Sequence, residues 1–149
     1  MNIIHLGGEK TVTGSCHLLQ VNGLNILVDC GLAQGNDPVS SMDSWPVDPG
    51  TIDFLFLTHA HMDHIGRVPE LVQKGFRGEI LSTHATKALL APMLKDASAF
   101  SHFTELESMG LLKVIDRLVM ESTYGNRVHG DDRARRGLRE AGKQLKGER

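Results

Sequence analysis

Apolar positions along this chain come in short bursts set off by glycine and proline, and the spacing within each burst predicts an element. Asn2 to Leu6 is an apolar run closed by Gly7-Gly8, which predicts a short strand. Ser15 to Val21 predicts a second strand, and Asn22-Gly23 is a hairpin signal, since both residues accept the positive φ of a tight two-residue turn. Asn25 to Val28 is the return strand and ends on Asp29, Cys30 and Gly31. Residues 33–50 hold most of the prolines, with several Gly, Ser and Asp, and read as a loop. Phe54 to Leu57 shows no polar alternation, which predicts a strand covered on both faces. Val68 to Lys74 then predicts a helix stopped by Gly75, and Glu79 to Leu81 another short strand. A longer helix is predicted from about Ala85 to Phe100, capped by Ser82 or Thr83 and carrying Pro92. Leu111 to Ile115 and Leu118 to Met120 are apolar enough for strands. In the tail, Ala134, Leu138, Ala141 and Leu145 form a narrow helical stripe with Arg and Lys on the other faces, a stripe that calls for a partner.

Composition narrows the picture. The 149 residues suffice for one modest domain with a real hydrophobic core. Charges of both signs are well mixed, and a net charge of −2 offers no global attraction to nucleic acid or membrane. No stretch approaches a transmembrane helix in length, and Met1 to His5 lacks the basic region and long apolar run of a signal peptide. Cys16 and Cys30 lack CxxC spacing and read as buried thiols of a cytoplasmic protein, not as a zinc knuckle or a disulfide.

The chemistry concentrates in His59-Ala60-His61-Met62-Asp63-His64, directly after the apolar run ending at Leu57. Three of the eight histidines fall within these six residues. A strand that ends by projecting nitrogen and oxygen ligands from a tight turn suits borderline metal ions. His59 and His61 can aim at one ion, Asp63 and His64 at a second. Two such ions polarise a phosphoryl or carbonyl group and generate hydroxide at neutral pH. The plainer alternative is a histidine-rich surface loop or a single adventitious site. His5 and His17, on predicted strands, read as structural imidazoles, and His84 and His102 as helix-end residues. Arg67 is a lone candidate for attracting phosphate. The segment from Asp131 to Arg149 carries a net +3, but no aromatics interleave for base stacking, so it reads as a solvated helix face.

Several motifs together resemble the metallo-β-lactamase superfamily, and within it the β-CASP branch of RNA-processing nucleases. They are Leu6-Gly7-Gly8, Val12-Thr13-Gly14-Ser15-Cys16-His17, Leu27-Val28-Asp29-Cys30-Gly31, the turn from Leu57 to Gly66, and Glu121-Ser122-Thr123-Tyr124-Gly125 followed by His129. The histidine turn points to the superfamily; the Val-Thr-Gly-Ser-Cys and Glu-Ser-Thr-Tyr-Gly elements point to the branch. The resemblance implies an α/β fold, an αββα sandwich represented mainly by its N-terminal half. It implies a partial metallo-β-lactamase domain over 1–130 and a helical tail over 131–149 that begins a β-CASP domain. It implies zinc as cofactor, two ions in an intact site, with His59 and His61 on one and Asp63 and His64 on the other; manganese or iron fit in part. Asp29 matches an acid that orients the ligand loop by hydrogen bonds. Asp63 and Glu121 match catalytic acids, and the expected reaction is phosphodiester cleavage of RNA by a metal-bound hydroxide.

The chain also departs from that pattern. Each zinc needs at least three protein ligands, and the four side chains of the turn give two per ion. The family's further histidines and its bridging aspartate are not visible, and residues 104–115 contain no histidine. The expectation is therefore an internally shortened, C-terminally truncated copy that holds one zinc ion or none and whose catalysis is impaired. Two alternatives accompany the nuclease reading. One is a non-catalytic remnant that self-associates or pairs with a full-length relative. The other is an ester, thioester or lactone hydrolase on the same fold.

Overall fold

A row of aliphatic side chains running across a five-stranded sheet carries the core. A computed structural model describes residues 1–35, 37 and 40–98. Strands β1 (Asn2–Gly7), β2 (Cys16–Val21), β3 (Leu24–Val28), β4 (Phe54–Phe56) and β5 (Glu79–Leu81) lie side by side in chain order. The first three form an antiparallel meander, whereas β3, β4 and β5 run parallel. Asn22 and Gly23, at φ of 51° and 79°, make the β2–β3 turn. Positive φ at both central residues matches the twist of the flanking strands. Registration places Ile4, Leu18, Leu27, Leu55 and Ile80 opposite one another. Leu18, Leu27, Leu55 and Ile80 are fully buried, each contributing about 1.5–3 kcal/mol.

Parallel strands require crossovers, and these build the layer over that row. The β3–β4 connection is a loop with two short 3-10 turns, Met42–Ser44 and Pro49–Thr51, capped by the side chains of Ser41 and Asp48. The β4–β5 connection carries helices α1 (Met62–Ile65) and α2 (Val68–Gln73), and α3 (His84–Ser98) follows β5. Ile65, Val68, Leu71, Phe76, Leu90 and Leu94 join Met42 and Trp45 in one buried cluster with the sheet. Thr83 caps α3 by accepting the Thr86 N–H at 3.2 Å. Gly75, at φ 104°, turns the chain after α2.

Most predicted elements are present within a residue or two. The run from Phe54 to Leu57 differs: only Phe54–Phe56 pairs in the sheet, and its faces are not covered alike. Period-two alternation sends Leu55 and Leu57 into the core, while Phe54 and Phe56 on the opposite face are half-buried. The predicted strands at 111–115 and 118–120, the helical stripe of the tail, and His102, Glu121 and His129 lie outside the described residues. No helix among the described residues is long and apolar enough to cross a membrane.

Candidate functional site

Because β3 and β4 are parallel neighbours, their C-terminal ends open on the same edge of the sheet. There Asp29 leaves β3, and the segment from Thr58 to His61 leaves β4 and enters α1. The histidine turn is held by its own backbone. The carbonyls of Met62, Asp63 and His64 accept the N–H groups of Leu32, Ser15 and Cys30 at 3.0, 2.9 and 2.8 Å. Two loops, one after β1 and one after β3, thus clamp the turn from beneath. A Cβ at Gly31 would overlap the Asp63 carbonyl and the His64 nitrogen, so only glycine lets the second loop approach this closely. Ala60 and Ile65 are buried beneath the turn, His61 is exposed, and His59, Asp63 and His64 are half-buried.

Asp29 is the hub. Its side chain lies inside the protein, only 2% exposed, on a backbone with φ 58°, a region that Asp and Asn tolerate better than most residues. Oδ1 accepts the Thr58 N–H at 2.9 Å, and Oδ2 accepts the Ser15 hydroxyl at 3.2 Å and the His64 ring at 2.8 Å. The Thr58 hydroxyl donates to both oxygens, at 3.0 and 2.9 Å. A carboxylate can only accept, so His64 carries its proton on Nδ1. The single Thr58 hydroxyl proton is committed to Asp29, so His59 Nδ1, 3.0 Å from Oγ1, must donate to it. The hub thus engages both rings through Nδ1, and in the neutral imidazoles this leaves Nε2 as the acceptor nitrogen. Fixing a tautomer through a carboxylate or hydroxyl is what a histidine ligand needs.

The turn brings its four ligand-type side chains together. The His59 ring centroid lies 3.9 Å from that of His64 and 4.7 Å from that of His61. His64 Nε2 and Asp63 Oδ2 are 3.4 Å apart, close to the roughly 3.3 Å separating two donors on one tetrahedral ion. The rings lie against one another rather than aimed at a common point. Among the described residues, no three His, Cys, Asp or Glu side chains are arranged as a complete metal-holding group. Three imidazoles and one carboxylate are nonetheless the donor types a borderline divalent cation takes, so the residues fit such an ion by chemistry.

Arg67 does not face this site. Its guanidinium is buried, donating to both Glu70 oxygens at 2.8 and 3.3 Å and to the Ser40 carbonyl at 3.0 Å, 5.8 Å from the Trp45 ring centroid. The suggestion that it attracts phosphate is corrected: it is an internal cross-link. Cys16 and Cys30 are free and buried. Burial, then the hydrogen bond with Cys16, pushes the Cys30 thiol well above its ordinary value, with Arg67 opposing, so it is no ready ligand. His5 and His17 are cross-strand partners with their Nδ1 atoms 2.9 Å apart, and His84 stands exposed at the head of α3. Sequence reasoning passed over Thr58 and Ser15, the two hydroxyls that complete the Asp29 network. The signal was available for Thr58, a hydroxyl residue directly before a ligand turn.

A family model described as the metallo-beta-lactamase superfamily matches residues 10–134. Among curated proteins, a ribonuclease of Thermus thermophilus (TTHA0252) is 42% identical over 97 residues, covering 65% of this chain and 22% of its own. Cleavage and polyadenylation specificity factor 73 of Drosophila melanogaster is 37% identical over 109 residues, covering 70% of this chain and 16% of its own. An endoribonuclease of Kluyveromyces lactis (YSH1) is 33% identical over 112 residues, covering 74% of this chain and 14% of its own. The chain thus spans about a fifth or less of these relatives' length. Among solved structures, the short form of human tRNase Z is similar with a TM-score of 0.46 and 22% identity, over 70% of this chain and 42% of that one.

Proposed function

The chain belongs to the metallo-beta-lactamase superfamily, and on that premise we propose that it supplies the N-terminal half of a zinc-dependent, RNA-cleaving phosphodiesterase site of the β-CASP type. The observation that carries this reading is the Asp29 hub, which holds His59 and His64 through their Nδ1 atoms beside His61 and Asp63. The relatives are named as ribonucleases and endoribonucleases, which supports RNA as the substrate.

His59, His61, Asp63 and His64 would hold the divalent cation. When bound, such an ion supplies Lewis acidity toward a phosphoryl oxygen and a water-derived nucleophile at neutral pH. The chain's own residues do the rest. Asp29 and Thr58 orient two imidazoles, which spares the site that reorganisation during the reaction. Asp63, at the first turn of α1, presents a carboxylate beside His64 Nε2, where it holds the cation or accepts a proton. Glu121 is assigned to substrate positioning on the strength of its Ser-Thr-Tyr-Gly context alone.

The test is single-stranded RNA incubated with the zinc-loaded full chain and with His59→Ala and Asp63→Ala. Cleavage that both substitutions abolish supports the reading. Cleavage that survives them contradicts it; intact RNA beside a zinc-loaded chain shows that this half does not act alone and favours the non-catalytic alternative.

A further inference from the structure

The Asp29 hub has a second branch, through Ser15. Ser15 Oγ donates to Asp29 Oδ2 and lies 3.4 Å from His17 Nε2, and His17 Nδ1 lies 2.9 Å from His5 Nδ1. With the Ser15 proton committed to Asp29, Ser15 can only accept from His17, so His17 carries its proton on Nε2. His17 Nδ1 is then an acceptor, and His5 donates to it from its own Nδ1. Two imidazoles on neighbouring strands, held in register as a cross-strand pair, thus bring their Nδ1 atoms together at the rim of the sheet. His5 is exposed and His17 half-buried, with the rings in edge-to-face contact at 4.9 Å between centroids.

We propose that His5 and His17 form a second cation site, distinct from the histidine turn, that takes a tetragonal divalent ion such as Cu(II) or Ni(II) through both Nδ1 atoms. The two nitrogens are 2.9 Å apart, within the roughly 2.8–3.3 Å that spans two nitrogens on one ion, but this is also the length of the hydrogen bond they share, so ion binding replaces that bond. Imidazole nitrogens suit Cu(II) and Ni(II), and Cu(II) binds most strongly of the divalent series. On binding, the His5 Nδ1 proton moves to Nε2, both rings turn their Nδ1 lone pairs toward the ion, and solvent completes its shell. The site also has its own supporting layer. His17 Nε2–H, backed by Ser15 and the Asp29 carboxylate, is the arrangement that fixes a metal-ligating imidazole and raises its basicity. One buried carboxylate thereby backs histidines on both sides. Burial, then the neighbouring His5, holds the His17 ring below its ordinary value against the opposing pull of Asp29, which favours the neutral donor form.

Substoichiometric Cu(II) added to the full chain, read by paramagnetic broadening of assigned imidazole resonances, tests this. His5 and His17 should broaden first, in the presence of saturating zinc as in its absence. Either His5→Ala, at an exposed position, or His17→Gln, which keeps a donor toward Ser15 but removes the second nitrogen, should weaken copper binding by about a hundredfold, the lower end of what a second tethered donor adds. Broadening confined to His59, His61 and His64, or to the amino terminus with no response to His17→Gln, would overturn the proposal. So would copper affinity unchanged in folded His5→Ala.

Discussion

Replacing Asp29 by Asn tests the hub with the smallest steric change available. The backbone is not the obstacle, because Asn tolerates φ near 58° as well as Asp does. The effect is electrostatic. Four groups donate to the carboxylate: the Thr58 N–H and hydroxyl, the Ser15 hydroxyl and His64 Nδ1. Hydrogen bonds to a charged acceptor exceed neutral ones by about 1 kcal/mol each, so neutralising this buried group should cost about 4 kcal/mol, even with the amide oxygen turned toward Thr58. The amide nitrogen then faces Ser15 and His64. Ser15 can rotate its hydroxyl and accept; His64 can accept only by moving its proton from Nδ1 to Nε2. That transfer occupies the nitrogen the site needs, and zinc affinity should fall about 10–100-fold. Urea unfolding followed by circular dichroism reads the first effect, and long-range proton–nitrogen correlation of the His64 ring reads the second. A loss of stability under about 1 kcal/mol, together with a His64 ring still protonated on Nδ1, would refute the reasoning.

Other perturbations separate scaffold from chemistry. Gly31→Ala places a methyl group into the Asp63 carbonyl and should destabilise the fold by about 1–3 kcal/mol while lowering zinc uptake; unfolding and metal content measured together check this. His61 is exposed, so His61→Ala should reduce zinc affinity with a stability change within about 0.5 kcal/mol; a large drop in the urea midpoint would show a structural role instead. The pH dependence follows from His17, whose value in the fold lies below its ordinary one because of burial and His5. The unfolded chain then takes up the proton more readily, so this contribution is complete above about pH 6.5 and lost as the pH falls through the depressed value. Urea midpoints between about pH 8 and pH 5 should fall on acidification, less steeply in His17→Gln; a midpoint flat or rising toward acid contradicts the sign.

What the sequence disclosed, it disclosed through local pattern. His59, His61, Asp63 and His64 stand out because they fall within six residues, and the Asn22-Gly23 turn because its conformation excludes most other residues. The strand of Phe54 to Phe56 was legible as apolar, yet the unequal burial of Phe54, Leu55 and Phe56 was not, since that depends on what lies over each face. Arg67 illustrates the same limit. Beside the ligand turn it resembles an anion contact, and only the fold shows Glu70 and the Ser40 carbonyl claiming its guanidinium. The hub was partly hidden for a related reason. Asp29 stood out by resemblance, but its link to Ser15 and His17 requires the antiparallel register of β1, β2 and β3, which no single stretch of residues encodes.

The central claim is that the histidine turn grips a divalent cation, and X-ray absorption at the zinc edge of the loaded chain examines it most directly. The account predicts an imidazole-rich nitrogen and oxygen shell at about 2.0–2.1 Å that is lost in a His59→Ala, His61→Ala double variant. A sulfur shell at about 2.3 Å, assigning the ion to Cys16 and Cys30, or an imidazole shell untouched by that double substitution, would contradict it.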